Sequence, residues 1–290
     1  MGNLADTVKA ALTDPHAPLW LPDVTDALVE MGQQTLRLQT GITMSHYGTA
    51  RVLAGDARAP RHVVACLSFD PGADGVASDM LAECLIGDFA RRYQEVGLAF
   101  YPPDITASTP ILNCVQEAID ILTSLPTLHY TVAKLVRVCH LIKPEDDDYD
   151  VSYSDPQVPF SIFVSVPQRR RTNDALRMAE SIVHEAMHLQ LTLIEHATPL
   201  VHPSDERYFS PWKGAYRSPQ GVLHALYVFR VIAQYLERLL ELPGWSLSSI
   251  DYMSHRRREI ALQVPEIATF KGNPTLTALG SRFVQRLVDE

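Results

Sequence analysis

The chain has 290 residues, a net charge of −9, 46% hydrophobic and 20% charged residues. This is the balance of an ordinary soluble globular protein, with room for one sizeable domain or two small ones. The acidic surplus argues against a nucleic-acid or anionic-membrane partner, both of which reward clustered Lys and Arg, and no apolar run approaches the length of a membrane span.

Apolar residues at helical spacing predict helices near Ala5–Leu12, Val24–Gln39, Ser78–Val96 and Ile111–Leu125, punctuated by Pro and Gly. His62–Phe69 reads equally as a strand or a buried helical turn. Residues 1–130 are therefore expected to form a mainly helical N-terminal region, packed on a compact unit of residues 131–290. Leu135–Ile142 reads as a strand, and Pro159–Val166 as a stronger one, rich in β-branched and aromatic residues. Between them the acidic turn Lys143–Asp148 reads as a solvated loop, since it lacks the glycine and distal Glu of an EF-hand. Arg169–Arg171 is expected to be a solvated loop as well. A helix follows over Asp174–Glu195, capped by Asn173 or Asp174. A proline-rich loop, Ala197–Pro219, leads into a helix over Gln220–Glu241. Cys66, Cys84, Cys114 and Cys139 are scattered among apolar neighbours with no C-x-x-C pair. With no charged-then-apolar leader, buried free thiols in a reducing cytoplasm are expected.

The densest chemical signal is His184-Glu185-Ala186-Met187-His188. Two imidazoles four positions apart on a helix differ by about 40° of rotation and about 6 Å of rise, so both can reach one metal ion. The H-E-x-x-H pattern on a helix commonly marks zinc, with the Glu as general base. Here it interrupts an apolar face made by Leu176, Ala179, Ile182, Val183, Ala186, Met187 and Ile194, where an unpaired imidazole would be costly to bury. The fold expected is α+β, mainly α: a helical N-terminal part, then a zincin-like core of one strand leading into the H-E-x-x-H helix. Such a strand often offers an edge on which a peptide lies extended.

A catalytic metal usually takes a third protein ligand and keeps open positions. The metzincin extension needs Gly at 191 and His at 194, where Leu191 and Ile194 stand. His196 lies about 15 Å along the axis from the level of residue 186, too far to join the pair, and His202 reads as a surface loop residue. His224, in Gly221-Val-Leu-His-Ala-Leu-Tyr-Val-Phe229, is the candidate third ligand, with Glu237 on the same helix as the alternative. Three imidazoles suit zinc or non-haem iron(II), although iron(II) oxygenases normally show two His and one carboxylate. Arg217 can bind a carboxylate bidentately, as of a peptide C-terminus or an oxo-acid cosubstrate; an exposed loop Arg is the plainer reading.

Four separated motifs, taken in order, resemble one family. They are Ser152-Tyr-Ser-Asp-Pro156 with Pro159–Pro167, Ala179–His188, Tyr208-Phe-Ser-Pro-Trp-Lys213 with Arg217, and Gly221–Phe229. The chain is similar over about residues 135–240 to the HExxH-motif peptide-modification family found beside ribosomally made peptide natural products. Its members are regarded as 2-oxoglutarate-dependent peptide β-hydroxylases. The resemblance implies that His184, His188 and His224 hold Fe(II) and that Arg217 anchors 2-oxoglutarate. Lys213 stands where the family usually has Arg after Pro-Trp. Implied partners are a ribosomal precursor peptide and other maturation enzymes of the same pathway. The function expected is β-carbon hydroxylation of a residue in that peptide. The alternatives are a zincin-type zinc metallopeptidase and a non-catalytic precursor-binding protein. Glu185 would be the catalytic base in the peptidase; in the oxygenase it would position the metal's surroundings or the cosubstrate.

Overall fold

The computed structural model describes residues 4–40, 62–69, 78–85, 87–145, 150–155, 158 and 160–289. Asp146–Asp148 of the acidic turn, Tyr149, Pro156, Pro159 and the side chain of Cys66 lie outside that description. The fold is α+β and mainly helical. Contacts divide it into two compact units, residues 29–189 and residues 1–28 with 190–290. Residue 130, where the sequence suggested a boundary, lies inside the helix Pro126–Leu135. No helix among the described residues is long and apolar enough to cross a membrane.

The first unit is built on a five-stranded sheet of β1 (His62–Phe69), β2 (Ser78–Cys84), β3 (Val138–Ile142), β4 (Ser152–Tyr153) and β5 (Ser161–Ser165), in the order β1-β2-β3-β5-β4. The three inner strands run parallel, and both outer pairings are antiparallel. All five residues of β3 and of β5 are buried, which explains why they read as continuous apolar runs rather than alternating ones. The undecided segment His62–Phe69 is a strand. The expected helix over Ser78–Val96 is not formed as one element. Ser78–Cys84 pairs with β1 and β3, and only Gly87–Gln94 is helical. Gly87, at φ +68°, makes the break. Leu135 ends a helix rather than beginning β3. In the core, Tyr93 packs on Phe163 at 4.5 Å between ring centroids and donates its hydroxyl hydrogen to Asp155 at 2.8 Å.

The second unit gathers both ends of the chain. Its helices include α1 (Leu4–Thr13), the start of α2 (Pro22–Thr40), Pro219–Leu240, Leu247–Gln263 and Ala278–Asp289, with a 3₁₀ segment over Val264–Gly272. The first residues are held by polar side chains far along the sequence. Arg286 donates to the carbonyl of Ala11 at 3.0 Å, Tyr227 to that of Leu19 at 3.0 Å, and Gln190 to that of Trp20 at 3.0 Å. Gly280 sits where an added Cβ would lie 2.0 Å from the Leu200 carbonyl oxygen. The segment Ala197–Pro219 is not a plain loop. It contains a hairpin, Tyr208–Ser210 paired antiparallel with Ala215–Arg217, whose turn closes on Gly214 at φ +58°.

Candidate metal centre

The H-E-x-x-H motif lies on the helix Asp174–Ala197, two residues beyond the predicted end at Glu195. Asn173 precedes it in the left-handed region at φ +70°, which Asn tolerates better than most residues. The Asp174 carboxylate accepts the Arg171 N–H at the helix start. Burial raises the Asp174 pKa, and the Arg171 amide and nearby arginines act against that rise. From Ala175 to Ile194 every residue is buried except Arg177, Ser181, His184, His188 and Thr192. Those residues recur at three- and four-residue spacing, so they form one half-open stripe along an otherwise enclosed helix. Both imidazoles of the motif are on it.

His184 Nε2 and His188 Nε2 stand 3.2 Å apart. Two nitrogens at about 2.0–2.1 Å from one tetrahedral ion would be separated by about 3.3 Å, so the pair fits neighbouring ligand positions. Glu185 points elsewhere. It is 3% exposed, and Ser152 Oγ on the edge strand β4 donates to its Oε1 at 2.7 Å. That oxygen is 3.9 Å from His184 Nε2. Beside it, the Tyr153 phenol is held above its ordinary pKa, first by partial burial and then by the charges of Asp155 and Glu185.

In the second unit, His224 is on the helix Pro219–Leu240, whose start is capped by Ser218 Oγ accepting the Gly221 N–H at 3.2 Å. His224 Nε2 lies 2.9 Å from Glu195 Oε2, which also accepts the Gln220 side-chain amide at 2.8 Å. Glu195 falls two turns beyond His188, so it continues the helix's open stripe. Arg217 ends the hairpin and lies over the first turn of that helix, since a Cβ added at Gly221 would meet its Nε at 3.6 Å. Lys213 is exposed in the hairpin turn, next to Trp212, which stacks on Phe229 at 5.1 Å. Glu237, the alternative ligand, is half-exposed and paired with Arg257. His196 and His202 are exposed.

Thus the structure brings His184 and His188 together, holds Glu185 against Ser152, and gives His224 a carboxylate. Among the described residues, no group of three or more His, Cys, Asp and Glu side chains is gathered as a metal-binding set. Sequence reasoning missed Ser152, Glu195 and Gln220 as members of these networks. For Glu195 the signal was present, because residues 184, 188 and 195 share one helix face; Ser152 opens the first of the four motifs, but nothing there pointed to Glu185. A scan against protein-family models found no match to the chain, and a search of the curated proteins found none either.

Proposed function

We propose that this chain is an iron(II)/2-oxoglutarate-dependent oxygenase that hydroxylates the β-carbon of a residue in a ribosomally synthesised precursor peptide. The observation that carries the reading is the imidazole pair, 3.2 Å between nitrogens on the one half-open stripe of a buried helix. His184 and His188 hold the metal, with His224 as the third ligand. His224 is read as the third ligand on the resemblance of its Gly221–Phe229 motif; its Nε2 meets Glu195, which fixes the tautomer of the ring. Bound iron(II) supplies the oxidising chemistry with dioxygen: one oxygen atom enters the peptide C–H bond as a hydroxyl, and the other leaves in succinate as 2-oxoglutarate loses carbon dioxide. Arg217, with Lys213 nearby on the same hairpin, takes the cosubstrate carboxylate.

The burial of Glu185 and its bond to Ser152 favour a positioning role over that of a base meeting water. The core is read as zincin-like: β5 precedes the motif helix, and the edge strand β4 lies against Glu185, where a peptide can add alongside. The zinc metallopeptidase is the second reading, favoured by the Glu185 carboxylate lying 3.9 Å from His184.

One experiment separates them. The protein is incubated with candidate precursor peptides, first with iron(II), ascorbate and 2-oxoglutarate, then with zinc alone, and the masses are read. A gain of one oxygen with succinate release is expected; backbone cleavage with zinc would replace the oxygenase by the peptidase. Neither product from metal-replete protein would leave a precursor-binding protein. His184→Ala and His188→Ala should each lose metal and turnover together. Arg217→Ala should keep iron while its apparent affinity for 2-oxoglutarate falls about 10- to 150-fold.

A further inference from the structure

The second unit holds a cavity of about 500 Å³, lined among others by Glu195, His196, Val201, His202, Asp205 and Gln220. This volume is within the usual range for a small ligand or a peptide side chain with its neighbours. Three prolines, Pro199, Pro203 and Pro219, add apolar wall. Two carboxylates line it, and no Lys or Arg does.

Glu195 gives the cavity its chemistry. Its side chain is only 12% exposed. Its Oε2 takes both the Gln220 amide and His224, while its Oε1 accepts no hydrogen bond from any described residue. A carboxylate oxygen that no described residue occupies can take a donor from a ligand, and a charged donor bonds it more strongly than a neutral one. An anion is disfavoured, although a helix start lies at the cavity. Of the first-turn N–H groups, Pro219 has none and that of Gly221 is taken by Ser218, which leaves Gln220 alone against the charges of Glu195 and Asp205.

We infer that this cavity is a subsite for a cationic group on an aliphatic stem: an ammonium or guanidinium pairing with Glu195, assisted by Asp205, with its methylenes against Val201 and the prolines. Long basic side chains bury their stems along apolar surface in this way while the charged head stays hydrated or paired. The chain's own net charge of −9 favours the approach of such a ligand. A lysine or arginine side chain of a peptide and a free diamine share this chemistry. The inference stands on the cavity and its carboxylate, apart from the activity proposed above.

The test is calorimetric binding to the full chain of three probes: an alanine-rich heptapeptide with a central lysine, the same peptide with norleucine, and cadaverine. The lysine peptide should bind about tenfold or more tightly than the norleucine peptide. Glu195→Gln should remove most of that preference, and Asp205→Asn, in an exposed loop, should reduce it with circular dichroism unchanged. Cadaverine matching the lysine peptide, with the same loss in Glu195→Gln, would support the subsite with a free amine as its source; weak cadaverine binding would support a peptide side chain. Equal binding of the lysine and norleucine peptides would overturn the inference. So would a lysine preference that survives both substitutions, or no binding of any probe. None of these readings requires turnover, so failure of the oxygenase proposal leaves them intact.

Discussion

Replacing Ser152 with Ala removes one hydrogen bond and almost no volume, which makes it a clean probe of Glu185. The bond is 2.7 Å, from a hydroxyl to a carboxylate that is 3% exposed. Bonds to charged groups contribute about 1.5–3 kcal/mol. Unfolding of a 290-residue chain in one transition carries an entropy of about 0.6 kcal/mol/K. The expected fall in Tm is therefore about 2–5 °C. Calorimetry or guanidinium titration reads it, and Ser152→Thr, which keeps the hydroxyl, should lose less. In a double-mutant cycle with Glu185→Gln the two losses should be less than additive, with a coupling of about 1 kcal/mol or more. Iron content should be unchanged, because neither imidazole of the pair is altered. If Ser152→Ala stays within about 0.5 kcal/mol of wild type, or the two effects simply add, then Ser152 does not hold Glu185 and the positioning role loses its support.

Gly280→Ala should cost more than the usual overpacked substitution, about 3 kcal/mol or above, because the new methyl meets the backbone oxygen of Leu200 at 2.0 Å. A Tm within 1 °C of wild type would contradict that close approach. Burial pushes the Cys139 thiol up to about 12. It also pushes Cys114 up to about 11, with the neighbouring Arg170 acting against the shift. At pH 8 roughly one Cys114 in a thousand and still fewer Cys139 are thiolates, so neither should react with a thiol reagent until the chain is unfolded. Raised folded pKa values also mean that these groups subtract stability only as pH climbs past about 8.5, the unfolded thiol value. Mass-mapped labelling of either thiol in native protein at pH 8 would refute the assignment.

The motif helix was legible because its apolar pattern is long and periodic, and so were α1, α2 and the helix bearing His224. Ser78–Cys84 was misread for a physical reason. Met80, Leu81, Ala82 and Glu83 are individually good helix formers, yet all are buried in the sheet between β1 and β3. Pairing with neighbours outweighed local propensity, and burial on both faces erased the alternation that would have marked a strand. The hairpin in 197–219 escaped because its strands have three residues each, too few to show a period. At the site, the spacing of His184 and His188 was sufficient to predict that they meet. The partners of Glu185 and His224 are Ser152 and Glu195, 33 and 29 residues away; helical spacing puts Glu195 on the face of the imidazole pair, but nothing in the sequence joins either residue to its partner.

The polar ties on residues 1–28 bear on the order in which the chain is made. Arg286 bonds to Ala11 across 275 positions, Tyr227 to Leu19 across 208 and Gln190 to Trp20 across 170. Synthesis runs at about 5–20 residues per second, so the first 28 residues emerge at least about 10 s before Arg286 is added. Meanwhile the whole of 29–189 has left the ribosome and can form its sheet first. Val8, Leu12, Leu19 and Trp20, buried in the finished molecule, spend that interval without their final cover. A nascent chain arrested after residue 189 has emerged but before its later partners have should therefore present residues 4–28 as a sticky, protease-sensitive segment beside a sheet unit free to fold.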